Sequence, residues 1–266
     1  MKETKTLIIE KPINENRIME TPIGELNKAL ILAGGFGTRM NELTKDTPKP
    51  MLLLQGKPIL DYSIELCKRH GIKDISLSIF HFGDKIRSHY SSGEFHGVNI
   101  SYVEEPQASG TAGALKLHKD WLTEPFMMCN ADELKDINLK AMFRQHIKTK
   151  ALATVALTRV EDPSKYGVVA LDGNRILRFV EKPKKEDAPS NLINAGLYII
   201  DPKVVEMVPD GYCMVEKDIF PKLAEQGLLY GFEYKGQWVD TGTPSAYEAA
   251  ETLWKGFSYP SVQLIP

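Results

Sequence analysis

No apolar run in the 266 residues approaches the roughly 20 that a membrane-crossing helix needs. The start, Met1 to Pro12, has only the short Leu7-Ile8-Ile9 cluster where a signal peptide needs a longer one, so a cytoplasmic protein with no membrane partner is expected. Cysteine is scarce. Cys67, Cys129 and Cys213 are odd in number and not in CxxC spacing, which argues against a disulfide framework or a zinc site and predicts buried small hydrophobes. Neither charge is in excess: 33 lysines plus arginines face 35 acidic residues, a net charge of -2. No global positive field therefore invites nucleic acid, and any polyanion must be held by a local site. Repeats and low-complexity stretches are also missing. The six histidines, His81 and His89 among them, show no metal-ligand spacing and are expected at the surface or in packing.

What remains is the composition of an ordinary globular chain, 42% hydrophobic and 26% charged. Residues 1–27 are polar, interrupted by Pro12 and Pro22, and read as an N-terminal arm or hairpin. From Lys28 short apolar runs alternate with amphipathic stretches, the pattern of repeated βα units and hence of an α/β fold with a mostly parallel sheet. Ala29-Leu30-Ile31-Leu32-Ala33, uncharged and closed by Gly34-Gly35, predicts a first strand buried on both faces. Leu60, Ile64 and Cys67 recur at helical spacing after Pro58, with Gly71 as stop signal. Strands are expected at 75–80, 100–104, 126–129, 152–158, 193–200 and 229–234, and helices at 84–90, from 111, at 216–226 and at 244–255. Asp172-Gly173-Asn174 is a hairpin turn, predicting a small antiparallel extension. The domain is expected to span 28–257, followed by a tail, 258–266.

Gly34-Gly35-Phe36-Gly37-Thr38-Arg39 directly follows the first strand, where glycines let backbone N–H groups approach a bound anion. A dinucleotide-binding loop expects a third glycine where Met40 stands, and the ATPase-type phosphate loop needs a Gly-Lys-Ser/Thr that is absent. Arg39 lies within the loop, and Lys49 follows between Pro48 and Pro50, which stiffen the segment carrying the cation. Both belong to the segment that leaves the carboxyl end of the first strand, where α/β proteins bind ligands.

The chain here resembles the sugar-1-phosphate nucleotidylyltransferases, in the branch that includes mannose-1-phosphate guanylyltransferases. The resemblance is carried by 34–39, Thr47-Pro48-Lys49-Pro50-Met51-Leu52, Gly56-Lys57-Pro58, Gly110-Thr111-Ala112-Gly113-Ala114-Leu115 and Asn130-Ala131-Asp132. It continues through Tyr166-Gly167-Val168-Val169, Glu181-Lys182-Pro183, Asn194-Ala195-Gly196 and Trp238-Val239-Asp240-Thr241-Gly242-Thr243-Pro244, covering about 28–255. Glu42 and Leu53 stand where the family often has proline, and Ala131 where glycine is commoner.

The resemblance implies a Rossmann-like, nucleotide-diphospho-sugar transferase type of fold and attack of a sugar 1-phosphate on the α-phosphorus of a nucleoside triphosphate, releasing pyrophosphate. Two unit charges at 4 Å repel by about 1 kcal/mol in water and about 4 kcal/mol at an effective dielectric near 20, so charge neutralisation and alignment are the main tasks. No strong base is needed, because the phosphate nucleophile is already ionised. By resemblance Arg39 and Lys49 are catalytic, Arg39 on the β- and γ-phosphates and Lys49 on the α-phosphate. Leu32, Ala33, Gly34, Gly35, Gly37, Thr38, Glu105, Gly110 and Thr111 meet the nucleotide; Gly167, Glu181, Lys182 and Asn194 meet the sugar phosphate. Asp132 and Asp240 are the implied ligands of Mg2+. Tyr166, Tyr198 and Trp238 are candidate pocket aromatics that equally suit a core.

Glu105 stands where relatives using thymidine or uridine nucleotides commonly carry glutamine. A carboxylate only accepts hydrogen bonds, and guanine offers two adjacent donors, N1–H and N2–H2, so GTP is favoured. Gln107 nearby keeps UTP, dTTP or CTP, with glucose or another sugar 1-phosphate, as the alternative. A non-catalytic nucleotide-sugar sensor is the reading of another class, against which stands the joint presence of Arg39, Lys49, Asp132 and Asp240. Homo-oligomerisation is left open.

Overall fold

The computed structural model describes residues 24–259; the expected arm up to residue 23 and the tail from 260 lie outside them. The first half runs through β1 (Lys28–Leu32), the small hairpin β2 (Leu53–Leu54) and β3 (Lys57–Pro58), α1 (Ile59–Arg69), β4 (Asp74–Ile79), α2 (Gly83–Tyr90), β5 (Asn99–Glu104), α3 (Gly110–Leu117) and β6 (Phe126–Asn130). The second half follows with β7 (Glu133–Lys135), α4 (Leu139–Thr149), β8 (Ala153–Arg159), β9 (Gly167–Asp172), β10 (Arg175–Glu181), β11 (Leu192–Ile200), α5 (Lys203–Glu206), α6 (Phe220–Glu225), β12 (Leu229–Glu233), β13 (Trp238–Asp240) and α7 (Pro244–Leu253).

A nine-stranded sheet in the order β5-β4-β1-β6-β11-β8-β12-β10-β9 organises the chain. Pairing is parallel from β5 through β6 and between β8 and β12. It is antiparallel where β11 meets β6 and β8, and where β10 meets β12 and β9, so only β10 and β11 run against the rest. The expected antiparallel extension is the β9–β10 hairpin, and it closes one end of this same sheet.

Alternation along the strands feeds two cores. Ala29, Ile31, Met127, Cys129, Leu197 and Ile199 join Leu60, Ile64 and Cys67 of α1 and Met142 and Phe143 of α4 on one face. Leu30, Met128, Tyr198 and Ile200 join Ala112 and Leu115 of α3 and Phe220 and Leu223 of α6 on the other. Both faces are covered, so β1 reads as an unbroken apolar run. All three cysteines are buried and free, as their spacing predicts. A third cluster, with Met40, Leu54, Tyr62, Leu134, Val239 and Trp254, packs α7 and the β7–β13 pair onto the segment after the glycine loop.

The helix expected over 216–226 is two pieces. Val215–Ile219 forms a π-helical turn and α6 begins only at Phe220. Pro221 has no N–H to give to the carbonyl four residues back, and the turn widens ahead of it. Among the described residues no helix is long and apolar enough to cross a membrane.

Candidate active site

β1 has β4 on one side and β6 on the other, so the chain leaves its carboxyl end where the strand order reverses, the place where open α/β sheets form a crevice. The glycine loop fills that position. Gly37 takes φ 62, caps the 3-10 turn Thr38–Thr44 and swings Arg39 back over the strand ends. A cleft of about 470 Å³ results, walled by Leu32, Ala33, Gly34, Gly35, Gly37, Thr38, Arg39, Lys49, Glu105, Gly110, Thr111 and Asp132, together with Ser109, Asn130, Tyr212 and Gly242. Every residue expected at the nucleotide thus faces one cavity.

Lys49 is the buried cation of this cleft. Its Nζ donates to Asp132 Oδ2 at 2.7 Å, and its side chain is 6% exposed. Burial alone would raise the Asp132 carboxyl, but Lys49, with smaller contributions from Lys135 and Arg39, holds it below the usual carboxylate range. Arg39 makes no hydrogen bond or ion pair among the described residues. A β-carbon at Gly242 would come 2.8 Å from Asp240 Oδ1, so residue 242 must lack one for that carboxylate to keep its place, and the terminal nitrogens of Arg39 lie 3.4 Å from the same point.

Asp240 reaches the site through the β7–β13 ladder, which sets it opposite Glu133, the neighbour of Asp132. The Thr241 hydroxyl donates to the Asp132 carbonyl at 2.7 Å and fastens the two loops. Asp240 Oδ1 accepts the Gly242 N–H at 2.7 Å, and Oδ2 accepts the Tyr166 hydroxyl at 3.3 Å. Burial and Asp240 together push the Tyr166 phenol up to about 12. Asp132 Oδ1 takes no hydrogen bond among the described residues, so the two aspartates offer an all-oxygen donor set that suits a hard divalent cation.

Glu105 is engaged on both oxygens. Ser78 Oγ donates to Oε1 at 2.8 Å, and Ser109 donates to Oε2 through Oγ at 2.6 Å and its backbone N–H at 3.2 Å. Of about four acceptor positions on a carboxylate, one remains, on Oε1.

The residues expected at the sugar phosphate do not wall the cleft and form a second group. A β-carbon at Gly167 would lie 2.6 Å from the Phe179 ring and 2.9 Å from Glu181 Oε2, so strand β9 packs closely against both. Glu181 is nearly covered, whereas Lys182 is exposed, with its backbone at φ 49 and its Nζ 3.5 Å from Glu181. Asn194 lies at a register irregularity of β11; its Nδ2 donates to the Tyr198 hydroxyl and its Oδ1 accepts the Gly196 N–H, both at 2.9 Å. Tyr198 is fully buried core, and Tyr166 and Trp238 pack edge to face.

Two carboxylates here escape sequence reasoning. Glu133 sits beside Asp132 and Asp240, and its carboxyl is pushed up by burial and by both neighbours against the pull of Lys135. Lys135 Nζ stands 3.1 Å from Glu133 Oε2, which lacks a well-aligned hydrogen bond. The signal was its position next to Asn130-Ala131-Asp132. Glu216 is 7% exposed and accepts the hydroxyls of Thr111 and Tyr198. Sequence periodicity marks it only as the start of a helix. Among the histidines, His118 and His146 are buried and hydrogen-bonded. His89 and His96 approach Asp61 with ligand atoms within 4.8 Å, a grouping assembled from α1, α2 and the turn after it that no spacing announces.

The family model described as Nucleotidyl transferase matches residues 28–255. Mannose-1-phosphate guanylyltransferase catalytic subunit beta of Danio rerio is 39% identical over 226 residues, 83% of this chain and 62% of that protein. Mannose-1-phosphate guanyltransferase of Saccharomyces cerevisiae is 37% identical over 234 residues, covering 85% and 64%. The chain thus spans about three fifths of the length of the curated relatives it matches. Among solved structures, UDP-glucose pyrophosphorylase complexed with UDP-glucose is similar at TM-score 0.74 and 27% identity, covering 85% of this chain and 97% of that one. HddC from Yersinia pseudotuberculosis complexed with GMP-PN gives 0.73 and 27%, covering 85% and 99%.

Proposed function

The chain belongs to the nucleotidyl transferase family, and from that premise we propose that it transfers a guanylyl group from GTP to mannose 1-phosphate, giving GDP-mannose and pyrophosphate. The observation that carries the reading is the buried Lys49 paired with Asp132 in the same cleft as Arg39 and the glycine loop. Two anions must meet there, and the cleft brings cations on rigid supports to receive them. Lys49 exchanges Asp132 for an α-phosphate oxygen and stabilises the charge that builds up around phosphorus. Arg39, free of competing partners among the described residues, takes the β- and γ-phosphates and favours departure of pyrophosphate. The sugar phosphate is held by Glu181 and Asn194 through sugar hydroxyls and by Lys182 through the phosphate, with Gly167 contributing a backbone contact.

Asp132 and Asp240 would hold Mg2+, which when bound supplies further charge neutralisation at the phosphates. Guanine reads out on Glu105. Its two adjacent donors need two acceptor positions, so base binding turns one serine hydroxyl away from the carboxylate. Likeness to UDP-glucose pyrophosphorylase supports a second reading, the same chemistry with UTP and glucose 1-phosphate.

The test is pyrophosphate release with Mg2+ across GTP, UTP, dTTP, CTP and ATP against mannose, glucose, galactose and glucosamine 1-phosphates. Turnover confined to GTP and mannose 1-phosphate is expected. Turnover confined to UTP and glucose 1-phosphate selects the second reading, and silence across the grid with nucleotide sugar still bound overturns both.

A further inference from the structure

We propose that Glu216 is a positioning residue that couples the nucleotide loop to the sugar-phosphate strand. The proposal rests on the reading of Thr111 and Asn194 given above. Two hydrogen-bond relays end on its carboxylate, one per oxygen. In the first, the Val215 N–H donates to Thr111 Oγ1 at 3.0 Å and Thr111 Oγ1 donates to Glu216 Oε2 at 2.6 Å. In the second, Asn194 Nδ2 donates to the Tyr198 hydroxyl at 2.9 Å and that hydroxyl donates to Glu216 Oε1 at 3.1 Å.

Each hydroxyl receives one N–H and spends its single proton on Glu216, so both relays point inward and only an acceptor at both ends completes them. The second relay also sets the Asn194 amide. Nδ2 is turned to Tyr198 and Oδ1 to the Gly196 N–H, leaving one N–H and one lone pair for a ligand. The π-helical turn Val215–Ile219 carries Glu216 into this junction, where it is 7% exposed and forms no ion pair among the described residues. A buried carboxylate without a countercharge weakens a fold unless its bonds are satisfied, and here one bond comes from Thr111 of the nucleotide cleft and the other from the core residue Tyr198, which carries it on to Asn194. The same segment straps the nucleotide side again. The Cys213 carbonyl accepts from Ala112 and Gly113 N–H at 2.9 and 3.2 Å, and the Cys213 N–H donates to the Ser109 carbonyl.

Glutamine at 216 turns an N–H toward one hydroxyl, whose proton then loses its acceptor, and offers the other only a neutral amide oxygen in place of a charged one, so both relays are weakened. Tyr198→Phe cuts the sugar side alone and keeps the ring packed on Phe220; Thr111→Val cuts the nucleotide side. In steady-state kinetics of the full chain with GTP, mannose 1-phosphate and Mg2+, Tyr198→Phe is expected to raise the sugar-phosphate KM about tenfold with the GTP KM within about twofold. Thr111→Val is expected to do the reverse. Glu216→Gln is expected to move both, and adding Tyr198→Phe to it to change the sugar-phosphate KM no further.

Loss of kcat alone with both KM values unmoved, or full additivity in the double variant, overturns the proposal. Amide hydrogen exchange reads the relay without turnover: Glu216→Gln should speed exchange at both Val215 and Gly196, and protection unchanged at either refutes the coupling. If the wild-type chain turns over no pair in the grid but exchange responds at both amides, the coupling stands and the substrate assignment falls.

Discussion

Lys49 carries much of the chemistry proposed for this chain. It is sequestered between two prolines, 6% exposed and 2.7 Å from a carboxylate. Lys49→Ala removes a cation aimed at the reacting phosphate and leaves Asp132 without its main counter-ion. We expect kcat for pyrophosphate release to fall roughly 10²–10³-fold, with a much smaller change in GTP KM, as for loss of one preorganised transition-state donor. Glu105 tests a different function of the same wall. Glu105→Gln keeps the size of the side chain but replaces an acceptor by a donor. The ratio of kcat/KM for GTP over UTP should drop about tenfold or more, given about 1.5–3 kcal/mol for a hydrogen bond to a charged group. An unchanged ratio removes Glu105 from base readout and leaves it as the latch between Ser78 and Ser109.

Among the elements, β11 does the most to position the site. At Gly196 the backbone takes φ 61, and a β-carbon there would collide with Glu133 Oε2. Left-handed backbone costs a non-glycine residue about 1–2 kcal/mol, and the clash adds to it. Gly196→Ala should therefore lower unfolding free energy by about 2 kcal/mol or more in a urea titration and displace Asn194. The strand and helix order of the chain is readable from its periodicity, because strands covered on both faces must be apolar throughout and α1 repeats at helical spacing. The α4 helix carried an equally plain signal: Asn138 accepts from the Ala141 N–H as an N-cap, and Leu139, Met142, Phe143 and His146 are its buried face. It stands between two expected strands and is not among the expected helices. The β7–β13 ladder was beyond reach for a physical reason. It has three residue pairs, contributed by segments that flank opposite ends of the second half, and short pairings of this kind carry no periodicity. Hence Asp132 and Asp240 could be named through resemblance, while Glu133 between them, and Glu216 beneath the cleft, could not.

At the scale of the molecule, pH acts through buried imidazoles. His146 is 2% exposed, and burial pushes its pKa down to about 4, against about 6.5 when unfolded. The unfolded chain therefore binds more protons between those values, and stability falls as pH drops from about 6.5 to about 4, by about 3 kcal/mol for this one group. His118, also buried and also lowered by desolvation, acts in the same direction. We expect urea midpoints to decline across this window, with a shallower decline in His146→Gln; a flat profile in the wild type would contradict it.

The strand order also has a consequence for how the chain is made. β1, the first strand among the described residues, needs β4 on one side and β6 on the other, and β6 in turn stays an open edge until Leu197–Ile200 arrive to pair with Phe126–Cys129. A nascent chain on the ribosome therefore holds an adhesive, half-finished sheet from the emergence of β6 until that of β11. Such long-range closure makes for slow folding and for an interval in which neighbouring nascent chains can cross-pair. Production of this protein should accordingly depend on translation rate and chaperone supply more steeply than its finished, two-cored sheet would suggest.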